Sequence, residues 1–325
     1  MRRQDENEPW PEGLEAVPQG VWLIAPHGDA DEGLRPVPAG QPFWESPYIW
    51  MRDAEGQLLT QAVAGEPVWV FARIRNRGTL TSFPTHISFA FIDAALGIPP
   101  SAPKVFGEVR TNVPPNQLGP GVVDVACPVP WVPGAYSTHA CLLVMSDGEL
   151  WDRPTVPWNP QLDRHVAQRN VTITAASPGQ TLVLPLLATP FMEGAETLAF
   201  AAQAAWVQAR EPAQALRYVP EGREPRGTQV EPGVLKEALR WERIDVVDRR
   251  EEGTVRFPKL EGGEAPGYVT VGERFESRPL EVWRVDADFT VPAPPDDSPF
   301  LLLRIAQTED GLITGGYTVL LQVRE

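Results

Sequence analysis

A helix of ordinary length needs an uninterrupted stretch of chain, and this sequence rarely supplies one. Proline removes a backbone donor and glycine weakens regular structure. With 36 Pro and 27 Gly spread through 325 residues, breaks recur along the whole chain. Between them lie short runs that alternate apolar with polar residues, which favours many short strands over long helices. The run PVWVFARIRNRGT, Pro67 to Thr79, is the clearest case. Val68, Val70, Ala72 and Ile74 fall on one face, and Trp69, Phe71, Arg73 and Arg75 on the other. That is the period of a strand with one core face. Asn76-Arg77-Gly78 then turns the chain, because Asn and Gly accept positive φ.

The runs divide the chain into three parts. Residues 1–40 are rich in Pro, Gly and acids, and their one apolar island is GVWLIAPHG, Gly20 to Gly28. This part reads as an extended arm carrying one short strand. Residues 41–176 offer strands at Tyr48–Arg52, in the Pro67–Thr79 run, at THISFAFID with Ile87, Phe89 and Phe91 alternating, in KVFGEV, at Val122–Cys127, in YSTHACLLVMSD and in HVAQRNVTIT. About seven short strands, with turn signals roughly every 8–15 residues, predict a β-sandwich.

Residues 177–325 form a second unit, strongly β in LEVWRVDADFTVP, FLLLRIAQT and LITGGYTVLLQV. In the last of these Tyr317, Val319, Leu321 and Val323 share a face. ETLAFAAQAAWVQAR, Glu196 to Arg210, is rich in Ala and free of Gly and Pro, so it reads as a helix. Pro232 opens a second short helix in PGVLKEALRW. The charged, Pro-rich stretch 211–233 reads as a surface loop. The expected fold class is therefore mainly β, two β-sandwich domains, the second with one or two short helices.

In SPYIWMRD, EPVWVFARIRNRGT, VPPNQLGPGVVDVACPVPW, STHACLLV and RHVAQRNVTI the first domain resembles the bacterial immunoglobulin-like modules of the CARDB type. Asn76 and Gly78 match that family's Asn-x-Gly strand end, Pro114-Pro115-Asn116 its turn, and Asn170 its closing strand. The resemblance covers residues 44–174. It implies an immunoglobulin-like sandwich without catalysis, of the sort appended to proteases or surface proteins. Export of the kind surface proteins undergo finds no counterpart here. MRRQDENEPWPEG has no apolar core, so it is not a secretory signal, and the expected location is cytoplasmic, with release or non-classical export as the other route.

A net charge of −15 argues against a phosphate-neutralising surface for nucleic acid. No stretch is long and apolar enough for membrane insertion as a helix. Cys127 and Cys141 are too few for a disulfide scaffold, and both are expected reduced. No H-E-x-x-H, G-x-S-x-G, P-loop or G-x-G-x-x-G occurs. The sequence therefore points away from an enzyme and names no cofactor.

Two stretches hold candidate chemical sites. Asp29, Asp31 and Glu32 in PHGDADEG resemble part of a Ca²⁺ loop, but no bidentate Glu closes it; a solvated acidic loop is the plainer reading. Cys141 and His139 share a strand face as a conceivable dyad, against a His beside a packed Cys. The interface candidates are Trp22, Leu23 and Ile24 of the arm and Trp69 and Phe71 of the second strand face. Together these predict a structural or interaction protein that binds a protein partner or itself, as a homo-oligomer or a subunit of a larger complex such as a phage-like or contractile particle. The eight Trp before residue 160 keep a carbohydrate-binding module open as the alternative, beside an accessory role in a protease system.

Overall fold

The computed structural model describes residues 18–324, except 39, 93–95, 100–101, 117–120, 135–140, 219–224, 251–252, 258–266, 296–297 and the side chain of Arg243. Strand makes up 49% and helix 4%, so the protein is mainly β, as its Pro and Gly spacing requires.

The first unit is built from β1 (Leu23–Ile24), β2 (Ile49–Arg52), β3 (Leu58–Leu59), β4 (Trp69–Asn76), β5 (Thr85–Ile92), β6 (Lys104–Thr111), β7 (Val122–Ala126), β8 (Cys141–Asp147) and β9 (Val166–Arg169). β4 is the hub of one sheet. β7 pairs with it along one edge, and β2 and β1 pair with it in succession along the other. The second sheet runs β6-β5-β8-β9, all antiparallel. Val70, Ala72 and Ile74 of β4 meet Ile87 and Phe89 of β5 and Leu142 and Val144 of β8 in one core. Each such aliphatic side chain contributes roughly 1.5–3 kcal/mol by leaving water. The alternation read in Pro67–Thr79 thus has its expected consequence: the Val face is buried, and the aromatic and Arg face is half-exposed.

The turn after β4 is held by its own residues. Asn76 is fully buried; its Oδ1 accepts the N–H groups of Trp22 and Gly78, and its Nδ2 donates to the carbonyls of Leu80 and Val113. Gly78 is required by contact. A Cβ there would lie 2.1 Å from the Gly20 carbonyl oxygen.

HVAQRNVTIT is not one strand. It breaks at Asn170, so that β9 completes the first unit while β10 (Val171–Ala176) pairs with the second. The chain therefore crosses at residue 170, six residues before the boundary drawn from sequence. The Asn170 N–H donates to the Trp44 carbonyl at 2.8 Å, and its Nδ2 to the Gly316 carbonyl at 2.7 Å.

The second unit continues with β11 (Thr181–Ala188), β12 (Thr197–Gln208), α1 (Pro212–Ala215), β13 (Arg226–Gln229), α2 (Pro232–Ala238), β14 (Leu239–Arg249), β15 (Val269–Glu276), β16 (Glu281–Thr290), β17 (Phe300–Glu309) and β18 (Leu312–Val323). One sheet runs β10-β18-β17-β12-β13, with β15 also on β12; the other runs β11-β16-β14. β10 lies parallel to β18, and the other ladders of the unit are antiparallel. Phe200, Trp206, Leu303, Ile305, Tyr317, Val319 and Leu321 face Leu186, Val285, Ala287 and Phe289 across the second core.

Two expectations are corrected here. Glu196–Arg210 holds β12, not a helix, and ten of its twelve residues are buried. It is an interior strand of its sheet, between β17 on one side and β13 and β15 on the other, and is packed on both faces. Leu198, Phe200 and Trp206 enter the main core, while Ala201 belongs to a second buried cluster with Phe43 and Trp44. Small Ala side chains suit such a position, and the helix preference of Ala, below about 1 kcal/mol per residue, is overridden by burial. The stretch 211–233 carries α1 and the fully exposed β13 within what read as a loop. α2 begins at Pro232 as expected.

Residues 43–46 join the two sandwiches. Trp44 is fully buried against Gly316, where a Cβ would lie 2.3 Å from the indole, and its Nε1 donates to Thr318 Oγ1 at 3.0 Å. Glu45 receives Arg304 through two bonds of 2.7 and 2.8 Å. Leu96, from the loop after β5, enters the second core, and its N–H donates to the Leu187 carbonyl.

Candidate interaction face

The strand of the arm is docked on its own domain. β1 pairs with β4 of its own sandwich, Leu23 opposite Asn76 and Ile24 opposite Arg75. Leu23, Ile24 and Ala25 are fully buried. Leu23 and Ile24, expected at an interface with a neighbour, are thus core residues of their own unit. Trp22 is half-buried, with the Arg164 guanidinium 3.7 Å from its ring centroid. The first unit offers this strand specific partners: its backbone donors find acceptors in Asn76, Asp152 and Arg164.

Among the described residues of the arm, Asp29, Asp31 and Glu32 are taken up in the same docking. Asp31 is buried and accepts two bonds from Arg35 and the N–H groups of His27 and Gly33. Burial alone would raise its pKa, but the bonds from His27 and Arg35 outweigh burial and hold the carboxyl well below its usual range. Asp29 accepts the Tyr48 hydroxyl at 2.5 Å, and Glu32 pairs with Arg77. The three carboxylates face three different partners, and no cluster fit to hold a metal ion occurs among the described residues.

Cys127 and Cys141 are free and buried. Burial pushes the Cys141 thiol up to about 12, the opposite of what a nucleophile needs. His139, the other half of the conceivable dyad, lies outside the described residues.

Trp69 and Phe71 do lie on a surface. The register of β2 on β4 sets Trp50 beside Phe71 and Arg52 beside Trp69, and the Arg73 N–H donates to the Tyr48 carbonyl. Trp50 and Phe71 stack, with centroids 5.6 Å apart and planes 10° apart. The Arg52 guanidinium lies 5.9 Å from the Phe71 ring, and those of Arg73 and Arg75 lie 5.6 and 5.9 Å from the Tyr48 ring. Asp124 of β7, opposite Arg73, accepts two bonds from it at 2.6 and 2.8 Å. Arg75 donates to the Asp31 carbonyl, so the acidic loop of the arm closes one end of the face.

Half-exposed rings, with Arg side chains laid across Phe71 and Tyr48, thus form a row on the outer surface of an acidic protein. Aromatics and Arg in this mixture are the residue types that carry binding energy at protein interfaces. The other members of the aromatic set have separate fates. Trp44 and Trp131 are core residues, Trp158 is half-buried, and Trp151 stacks in the open on Phe83, with centroids 5.6 Å apart.

No family model matches the chain, and no curated protein matches it. Among solved structures it is similar to red sea bream transglutaminase, at 10% identity and a TM-score of 0.21 over 85% of this chain and 31% of that one. It is similar also to Salmonella α2-macroglobulin reacted with methylamine, at 9% identity and a TM-score of 0.18 over 80% of this chain and 15% of that one. The chain spans less than a third of the length of either protein. At those TM-scores neither likeness bears on the activity of this chain.

Proposed function

We propose that this protein is a non-catalytic scaffold that binds another protein, or a second copy of itself, through the outer face of β2 and β4. One observation carries the reading: Trp50, Trp69, Phe71 and Tyr48 are left half-exposed side by side on a regular sheet whose opposite face is fully packed. A surface without a partner gains nothing from such a row, and contiguous apolar area in water invites association. The Arg side chains across the rings supply donors that planar carboxylates and backbone carbonyls of a partner can accept.

The test uses two variants that leave the core untouched, Phe71→Ser and Trp50→Ser. Light scattering after size exclusion is expected to show an assembly for the full chain and a smaller species for both variants, with far-UV circular dichroism unchanged. A wild-type monomer that loses no partner on substitution refutes the reading. Retention on a glycan array, lost in the same variants, replaces it with the carbohydrate-binding alternative.

A further inference from the structure

The N-terminal strand is tied down by a buried ionic cluster that the outer face does not use. The Leu23 N–H donates to Asp152 Oδ2 at 2.5 Å, and the Ala25 N–H to the Arg164 carbonyl at 2.8 Å. Arg164 also donates to Asp152 while lying across Trp22. His165, 1% exposed, sits between two carboxylates. Its Nδ1 is 2.7 Å from Asp163 Oδ1 and its Nε2 3.2 Å from Asp152 Oδ1. Asp163 is fixed in turn by the N–H groups of Thr155, Val156 and His165. The charged groups that act on the imidazole are therefore Asp152, Asp163 and Arg164, with Arg35 of the arm acting on Arg164. Behind the ring, the Ser146 N–H holds the His165 carbonyl.

The balance of charge turns on His165. With the imidazole protonated, two carboxylates face two cations. With it neutral, one negative charge is left uncompensated in a buried place, beside the oxygen that holds Leu23. A buried carboxylate without its counter-charge is strongly unfavourable.

We propose that Asp152, Asp163, Arg164 and His165 form a proton-dependent latch on the N-terminal strand, closed by the His165 imidazolium and loosened when it loses its proton. Opening frees the β4 edge at Arg75 and Asn76 and uncovers the sites of Leu23, Ile24 and Ala25, the kind of edge that accepts another strand.

The direction follows from the cluster. Burial works against the cation, but the bonds and charges of Asp152 and Asp163 outweigh burial and raise the His165 pKa above its ordinary value. A histidine with a raised folded pKa contributes its full stability below the unfolded value and loses it as pH rises through the folded one. The latch is therefore closed in mild acid and opens on the alkaline side. Asp163, held down to about 2 by the hydrogen bond from His165 against the opposing effect of burial, stays charged throughout that range.

Amide hydrogen exchange on the full chain tests this, from about pH 6 to about pH 10, with rates corrected for their intrinsic pH dependence. Leu23 and Ala25 are compared with Phe200, buried in the second core. Their protection relative to Phe200 is expected to fall by about tenfold or more, along the titration of the His165 ring resonances. In His165→Asn the two amides should exchange fast at every pH, with no midpoint. Flat corrected protection of Leu23 and Ala25 across the range overturns the latch, and so does an unchanged midpoint in His165→Asn. Should that variant fail to fold, the wild-type comparison with Phe200 decides alone.

Discussion

Replacing Arg304 by Met should remove a large part of the stability of the whole chain, although position 304 lies far in sequence from the segment it holds. Arg304 is 1% exposed and Glu45 7%. The guanidinium gives Glu45 two bonds of 2.7 and 2.8 Å, and further bonds to Gln203 Oε1 at 3.2 Å and the Tyr218 carbonyl at 2.9 Å. Thr318 also donates to Glu45. Arg304→Met leaves the buried carboxylate without its two-bond partner, with only the Thr318 hydroxyl and the charge of the buried Arg169 still acting on it, and Glu45→Leu leaves the buried guanidinium without a carboxylate. Each is expected to lower unfolding free energy by about 3–5 kcal/mol, out of a total on the order of 5–15 kcal/mol. The double variant removes both charges, and its apolar side chains can pack together. It should lose less than either single variant, because replacing a buried pair by apolar groups is often neutral within a few kcal/mol. Urea unfolding followed by Trp emission and far-UV circular dichroism measures all three. The reasoning fails if each single variant loses under about 1 kcal/mol, or if the double variant loses the sum of the two.

Two further outcomes follow from close contacts and from burial. Gly78→Ala drives a methyl against the Gly20 carbonyl, 2.1 Å away, and should lower stability by about 1–3 kcal/mol and speed exchange of the Leu80 amide, which donates to that carbonyl; Gly28→Ala, with nothing within 4 Å, should do neither. Cys127 and Cys141 should react slowly with a thiol reagent in the native chain and both titrate on unfolding without reductant; a chain that yields no thiols when unfolded contradicts their being free.

Much of the β architecture was legible because strand periodicity is a local property. The alternation in Trp69–Asn76 places Val70, Ala72 and Ile74 in the core, and Tyr317, Val319 and Leu321 repeat the lesson in β18. What misled was tertiary in origin. Thr197–Gln208 is rich in Ala and reads as a helix until one sees that it runs between β17 and two other strands with both faces covered. Only that environment suits a row of Ala to a strand, since Ala201 is buried in one cluster with Phe43 and Trp44. Asn170 shows the same limit. Its side chain binds Gly316, so the break in HVAQRNVTIT depends on a residue 146 positions away.

The candidate face was half legible for a related reason. Periodicity assigns Trp69 and Phe71 to the outer side of their strand, but it carries no register, and register is what assembles the row. Trp50 meets Phe71 because Ile49–Arg52 pairs with Trp69–Ala72 in one alignment; a slip of one residue would bury Trp50 and expose Met51. The arm shows the opposite case. Its composition of Pro, Gly and acid suggests a segment with little to gain from its own domain, yet among the described residues of the arm Asp29 partners Tyr48, Asp31 Arg35 and Glu32 Arg77. An acidic segment docks at little penalty when the surface that receives it supplies the cations. In this chain the same Arg side chains serve two ends, since Arg75 both holds the Asp31 carbonyl and lies across Tyr48. Loosening of the arm would therefore free a guanidinium at the edge of the aromatic row, which couples the docking of the N-terminal strand to the surface proposed to bind a partner.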